Sequence, residues 1–148
     1  MRIPEIEISI KYKGTKKCDL KQIKTSSDVY EVCKLLFDQS TIDWTEEVVL
    51  LCLSQAKKLL GYYKVSSGGI SGTVLDPRVV FTTALNCAGT TSIILAHNHP
   101  SGNLAPSPQD DSITKKIADA GQVLDITLLD HLIVTSEGYY SYLDEGRL

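Results

Sequence analysis

Apolar and polar residues alternate near the start of the chain. Ile6, Ile8 and Ile10 are separated by Glu7 and Ser9 and flanked by Glu5 and Lys11. A period of two predicts a half-buried strand, and Lys13-Gly14 predicts a turn after it. The period then lengthens. Val29, Val32, Cys33 and Leu36, extended by Phe37, recur at helical spacing behind the capping run Ser26-Ser27-Asp28. Val48 to Leu53 is apolar at every position, which predicts a central strand covered on both faces. Gln55-Ala56-Lys57-Lys58 reads as a turn and Leu59 to Val65 as the returning strand. Ser66 to Gly72 reads as a mobile loop beside a site. An anion cradle there would lack the lysine of a phosphate loop and does not lead directly into a helix.

The second half repeats the alternation of helices and strands. Asp76-Pro77 is a cap followed by proline at the first helical position, and that helix should run to about Cys87, before Gly89. Ser92 to Ala96 predicts a second buried strand, and Ser107 opens a helix expected to stop near Gly121. Leu128 to Thr135 and Tyr139 to Leu143 predict a hairpin around Ser136-Glu137-Gly138. Without internal repeats or low-complexity segments, the order of elements predicts an α/β (α+β) architecture: a mixed sheet with helices on its faces.

Composition narrows the class. The 148 residues are 43% hydrophobic with a net charge of -3, an ordinary globular balance with no overall pull toward nucleic acid or anionic membrane. No apolar run is long enough to span a bilayer, and the acidic residues in Met1 to Glu7 do not read as a signal peptide. Cys18, Cys33, Cys52 and Cys87 form no C-x-x-C pair, which predicts thiols in a reducing, cytoplasmic setting. Residues 11 to 24 hold six lysines against one aspartate. A nucleic-acid contact is one reading of them; a solvated strand edge protected by lysine is the favoured one. An exposed edge would also allow pairing with a second copy as a homodimer.

The chemistry concentrates in one segment. Of three histidines in the chain, His97 and His99 stand one residue apart at the end of the second buried strand, and Ser107-Pro108-Gln109-Asp110 follows. In an extended segment His97 and His99 point the same way and Asn98 points opposite, so the two imidazoles can converge. Pro100 ends strand pairing there. Gly102 and Pro106 lie in a loop-forming gap that lets the chain turn back. Ser107 to Asp110 is a capping pattern, and a capped first turn would hold the Asp110 carboxylate in place. Two imidazoles and a carboxylate are a ligand set for one Zn2+ ion with an open position for water, although other divalent ions accept the same donors. Ser107 could hydrogen-bond a group at the metal. His131, in an apolar run, reads first as a core histidine bonded to a neighbour. A base for the water should be a carboxylate, and Glu46 and Glu47, both at the entry of the central strand, qualify equally.

H-x-H-P, six residues, then S-x-x-D is similar to the JAMM signature of MPN-domain (JAB-type) metalloproteases. Ile94 to Gly102 resembles the bacterial RadC branch of that group, and Leu129-Asp130-His131-Leu132-Ile133-Val134 resembles a second RadC segment. The resemblance covers about residues 25 to 148, which divides the chain into an N-terminal strand and lysine-rich extension, 1–25, and an MPN domain, 26–148. It implies a cytidine-deaminase-like sheet flanked by helices. It also implies zinc on His97, His99 and Asp110, transition-state stabilisation by Ser107, and a catalytic glutamate matching Glu46, with Glu47 as fallback. Ser54 stands where RadC chains usually have aspartate, outside the metal set. Residues 1 to 40 show no helix-hairpin-helix pattern of the kind that longer RadC members place ahead of this domain, so the family's DNA-repair name transfers weakly.

The expectation is a zinc-dependent hydrolase acting on a peptide or isopeptide bond in a peptide or protein substrate, with no membrane partner. The alternative is a nucleic-acid accessory protein with a structural or vestigial zinc site, for which the lysine cluster speaks and the acidic balance does not. A base deaminase would need H-x-E and a later P-C-x-x-C, which are absent. A noncatalytic MPN module would lack ligands that this chain has.

Overall fold

The computed structural model describes residues 1–14, 20–67 and 75–148. Five strands form one sheet in the order β2-β1-β3-β4-β5: β1 is Glu47–Leu53, β2 Leu59–Ser67, β3 Ser92–Asn98, β4 Thr127–Val134 and β5 Tyr139–Ser141. All neighbours are antiparallel except β3 and β4. That parallel pair requires a crossover, supplied by helix α3, Pro108–Val123. The other helices are α1, Ser26–Leu36, and α2, Pro77–Asn86. Among the described residues no helix is long and apolar enough to cross a membrane.

The sheet separates two cores. On one face Val29, Val32 and Cys33 of α1, with Phe37, pack on Val49, Leu51, Leu53, Ile94, Ala96, Leu132 and Val134. On the other, Val80, Phe81 and Ala84 of α2 and Ile117 of α3 pack on Val48, Leu50, Cys52, Ile93, Leu95 and Leu128. The central strands β1 and β3 are therefore apolar on both sides, as their unbroken hydrophobic runs predict. Burial pushes the Cys33 thiol up to about 12, so it is an inert core residue.

Several expectations shift. Residues 1–13 form no strand, and Ile6 and Ile8 are 84% and 66% exposed rather than half-buried. Alternation makes a strand only when a neighbouring strand takes its hydrogen bonds, and no described strand pairs with this segment. Tyr12 is its foothold, with its hydroxyl 3.5 Å from Cys87 Sγ. Of the lysine cluster, Lys16 and Lys17 lie outside the described residues, as does most of the predicted loop 66–72. Around Lys21 the chain bridges to the β1–β2 turn through Ile23 N–H to the Lys57 carbonyl and Leu59 N–H to the Lys21 carbonyl. The cap of α1 is Thr25, one residue earlier than the serines suggest. Asp28 completes a capping box with it, whereas Ser26 is already helical. β5 ends at Ser141, short of the expected Leu143, because Asp130 accepts both Ser141 Oγ–H and Leu143 N–H and draws the chain off the ladder.

Gly121 does not stop α3, which continues to Val123. Its role is steric: a Cβ there would overlap the Ile126 carbonyl oxygen as the chain turns back into β4. The reversal itself is taken by Asp125, at φ +56°, a conformation that aspartate tolerates better than most side chains.

Asn98, at the end of β3, is fully buried. Its amide donates to the carbonyls of Ile42 (2.7 Å) and Thr45 (2.8 Å), and its oxygen accepts Glu47 N–H at 2.7 Å. One side chain thus fixes the backbone that leads into β1.

Three outcomes are expected. Gly121→Ala should destabilise the protein by about 3 kcal/mol, read as a lower denaturant midpoint with an unchanged slope. Asn98→Ala leaves three backbone groups without this partner, one buried and two partly buried, so a loss on the order of 3 kcal/mol is expected in the same measurement. Hydrogen bonds from Lys24 N–H and Thr25 N–H hold the Asp28 carboxyl below its ordinary value. A lowered folded pKa contributes stability above the unfolded value, lost as pH falls through the folded one. Asp28→Asn should accordingly flatten the acid limb of a stability–pH curve below about pH 4; a limb identical to that of the parent would contradict this.

Candidate metal centre

His97 ends up beside the α2–α3 layer because it continues the alternation of Ile93 and Leu95, which lie in that core. It is buried, while His99, just past the strand, is half-buried. Their Nε2 atoms are 2.9 Å apart. Asp110 approaches from the first turn of α3, with Oδ1 3.2 Å from His97 Nε2 and Oδ2 3.3 Å from His99 Nε2. One donor atom from each of the three residues lies within 4.8 Å of the others, so they could hold a metal ion.

The Asp110 carboxylate is fixed by the helix that bears it. Its Oδ2 accepts Ser107 N–H at 2.7 Å, and Asp110 N–H donates to Ser107 Oγ at 3.1 Å, a reciprocal capping box. The cap therefore constrains a side chain that also faces both imidazoles. Burial opposes ionisation of Asp110, but bonds from His97, His99 and the Ser107 N–H outweigh it and hold the carboxyl far below the usual carboxylate range. The same contact raises His99 above its ordinary value; burial works against this, and the negative charge of Glu46 adds to it.

The donor chemistry suits a cation. His99 Nδ1 lies 2.6 Å from the Asn103 carbonyl, which can only accept, so Nδ1 carries a proton and Nε2 is the nitrogen that would give its lone pair to a metal. An ionised carboxylate and two imidazole nitrogens at 2.9–3.3 Å need positive charge between them, which ring protons bonded to Asp110 supply and a metal ion would supply in their place. These separations are close to the roughly 3.4 Å edge of a tetrahedron with ~2.1 Å metal–ligand bonds.

The two candidate glutamates part company. Val48 pairs with His97 across the β1–β3 ladder, and Glu46 lies immediately ahead of β1, two residues before Val48. Its charge is felt at His99. Glu47 is ion-paired with Lys64 of β2 at 3.4 Å. Ser107 is partly buried at the head of α3; its Oγ accepts Asp110 N–H, which leaves the hydroxyl proton to donate.

Residues that the pattern alone does not single out complete the surroundings. His131 Nε2 lies 2.7 Å from His97 Nδ1, so the expected neighbour of this core histidine is His97 itself. Burial pushes His131 well below the usual histidine value. Thr114 Oγ1 is 2.6 Å from His131 Nδ1 and donates to the Asp110 carbonyl at 2.6 Å. Its signal is spacing, since Thr114 follows Asp110 by four residues and shares its helix face. Asn98 is legible only as the residue turned away from the histidine pair.

The sequence matches the RadC-like JAB domain family over residues 23–147. A UPF0758 protein of Flavobacterium johnsoniae is 44% identical over 127 residues, 86% of this chain and 54% of that protein. A UPF0758 protein of Thermotoga maritima is 34% identical over 128 residues, 86% of this chain and 55% of that one. A third, from Porphyromonas gingivalis, is 41% identical over 104 residues, 70% of this chain and 45% of the relative. The chain thus spans about half the length of the curated relatives it matches. With its residues matched to the family from the end of the N-terminal segment almost to the last position, the chain belongs to the RadC-like JAB domain family.

Proposed function

We propose that this chain is a zinc-dependent hydrolase that cleaves a peptide or isopeptide bond. The observation that carries the reading is the convergence of His97, His99 and Asp110, with the Glu46 charge reaching the same cluster. Family membership supports it, since the resemblance to JAMM metalloproteases rests on these same residues.

His97, His99 and Asp110 would hold the ion. A bound zinc ion supplies a Lewis acid that polarises a carbonyl and lowers the pKa of a water molecule to about 7. The chain's own residues do the rest. Glu46, whose charge reaches His99, accepts a proton from the attacking water and returns it to the leaving amine. Ser107 donates its hydroxyl proton to the oxyanion that develops on the scissile carbonyl. The bond from Ser107 N–H would keep the Asp110 carboxylate oriented toward the ion. Asn98 keeps the backbone of Glu47 fixed, and with it the approach of its neighbour Glu46.

Purified protein should take up one zinc ion per chain, and chelation should lower its unfolding midpoint; ligand at a hundred times its Kd stabilises by about 2.7 kcal/mol. Against peptide and isopeptide substrates, Glu46→Gln should keep the zinc and lose about 10²–10⁴-fold in kcat. Ser107→Ala should lose on the order of 10²-fold. A protein that takes up no zinc, or whose turnover is untouched by Glu46→Gln and by His97→Ala, would overturn the reading.

A further inference from the structure

We propose that His131 is a positioning residue that fixes the ring tautomer of His97, presenting the His97 Nε2 lone pair to the metal position. The proposal rests on the metal-site reading above and adds a residue that the ligand set does not contain.

Hydrogen-bond direction carries the inference, starting from an atom that can only accept. The Asp110 carbonyl has no proton, so Thr114 must donate its hydroxyl proton there, at 2.6 Å. Thr114 Oγ1 is then an acceptor toward His131 Nδ1, also 2.6 Å away, so His131 carries its proton on Nδ1. Among the described residues no carboxylate bonds to the His131 ring; the neighbouring Asp130 carboxylate takes the His131 backbone N–H, Ser141 Oγ–H and Leu143 N–H. A neutral His131 protonated at Nδ1 offers a lone pair at Nε2, 2.7 Å from His97 Nδ1. His97 Nδ1 must therefore donate, which leaves His97 Nε2, 3.2 Å from Asp110 Oδ1, as the nitrogen that a metal would take. The chain begins and ends on Asp110, at its backbone carbonyl and at its carboxylate.

The ring of His131 is held in the plane that this requires. It stacks on Tyr142 at 5.2 Å between centroids with 10° between planes. Tyr142 donates its hydroxyl to Asp111 Oδ1 at 2.8 Å, and Arg147 bonds Asp111 Oδ2 at 2.7 Å while lying over the Tyr142 ring. The C-terminal turn clamps the positioning histidine against the strand. His99 needs no such device, because the Asn103 carbonyl sets its tautomer directly. A metal-ligating histidine commonly donates its other ring N–H to a carboxylate, carbonyl or water; here a second histidine is the acceptor.

The test combines ring-nitrogen NMR with zinc affinity measured by competition with a chromophoric chelator. In the parent, the imidazole nitrogens should show His131 protonated at Nδ1, and in the zinc-loaded protein His97 protonated at Nδ1. A His131 proton on Nε2 would overturn the proposal without any variant. His131→Phe keeps a ring against Tyr142 and removes the acceptor; zinc affinity should fall about 10–100-fold. His131→Gln can accept from His97 and donate to Thr114, and should recover most of that loss. Zinc affinity of His131→Phe within threefold of the parent, in a folded protein, would overturn the proposal. If His131→Phe does not fold, Thr114→Val decides instead: it should weaken zinc binding and release the His131 proton from Nδ1, and an unchanged tautomer with unchanged affinity would overturn the proposal. A parent that takes up no zinc would instead sink the metal-site reading.

Discussion

Everything at this site depends on a carboxylate placed at the positive end of a helix. Asp110 is the third residue of α3, where its Oδ2 accepts the backbone N–H of the capping serine. The helix terminus favours a negative charge there, and the two imidazoles facing it favour the same charge. Helix stability and ligand geometry therefore make the same demand on one side chain. The burial that would ordinarily neutralise a carboxyl is outweighed. Because α3 is also the crossover between the parallel strands β3 and β4, the carboxylate fixes where the sheet's connection begins.

The sheet contributes by sorting residues. β3 has His97 on the face of α2 and α3 and Asn98 on the face of α1. One residue joins the cluster that could hold a metal and the next ties down the segment that leads to Glu46. The parallel partner β4 lies beside β3 with His131 opposite Leu95, which brings the third histidine of the chain within reach of the first. His97, His99, Ser107, Asp110 and His131 all fall between residues 92 and 134, within one strand–helix–strand unit and its connecting loop.

Much of this was legible in the chain, for identifiable reasons. The unbroken apolar runs of β1 and β3 could only be central strands, and H-x-H at the end of one of them set both rings on one side. The pattern Ser107-Pro108-Gln109-Asp110 gave the cap and the carboxylate together, because a capping box has fixed spacing. The choice between Glu46 and Glu47 was not legible in the chain, because adjacent residues at a strand entry differ only in face; in the structure Glu47 is ion-paired with Lys64 and the Glu46 charge is felt at His99. The N-terminal alternation of Ile6, Ile8 and Ile10 misled for the converse reason. A period of two states that a strand is compatible with the residues, not that another strand is at hand to pair with it. Gly121 misled because glycine marks both helix ends and close approaches, and only the return of Ile126 distinguishes them.

The alternation at His97 and Asn98 also bears on folding fidelity. A slip of one residue in the pairing of β3 would turn every side chain of the strand to the other face. Asn98 would then enter the polar cluster and His97 would be driven under α1, against a core of valine, leucine and phenylalanine. The slipped sheet could still pack its leucines and isoleucines, since both faces of this strand are apolar. It would lose the three hydrogen bonds of Asn98 and strand a histidine in hydrocarbon. In a strand whose hydrophobic residues read the same in either register, these two polar residues are what tells the correct pairing from its nearest competitor. The fold is thereby proofread in part by a residue that would bind the ion.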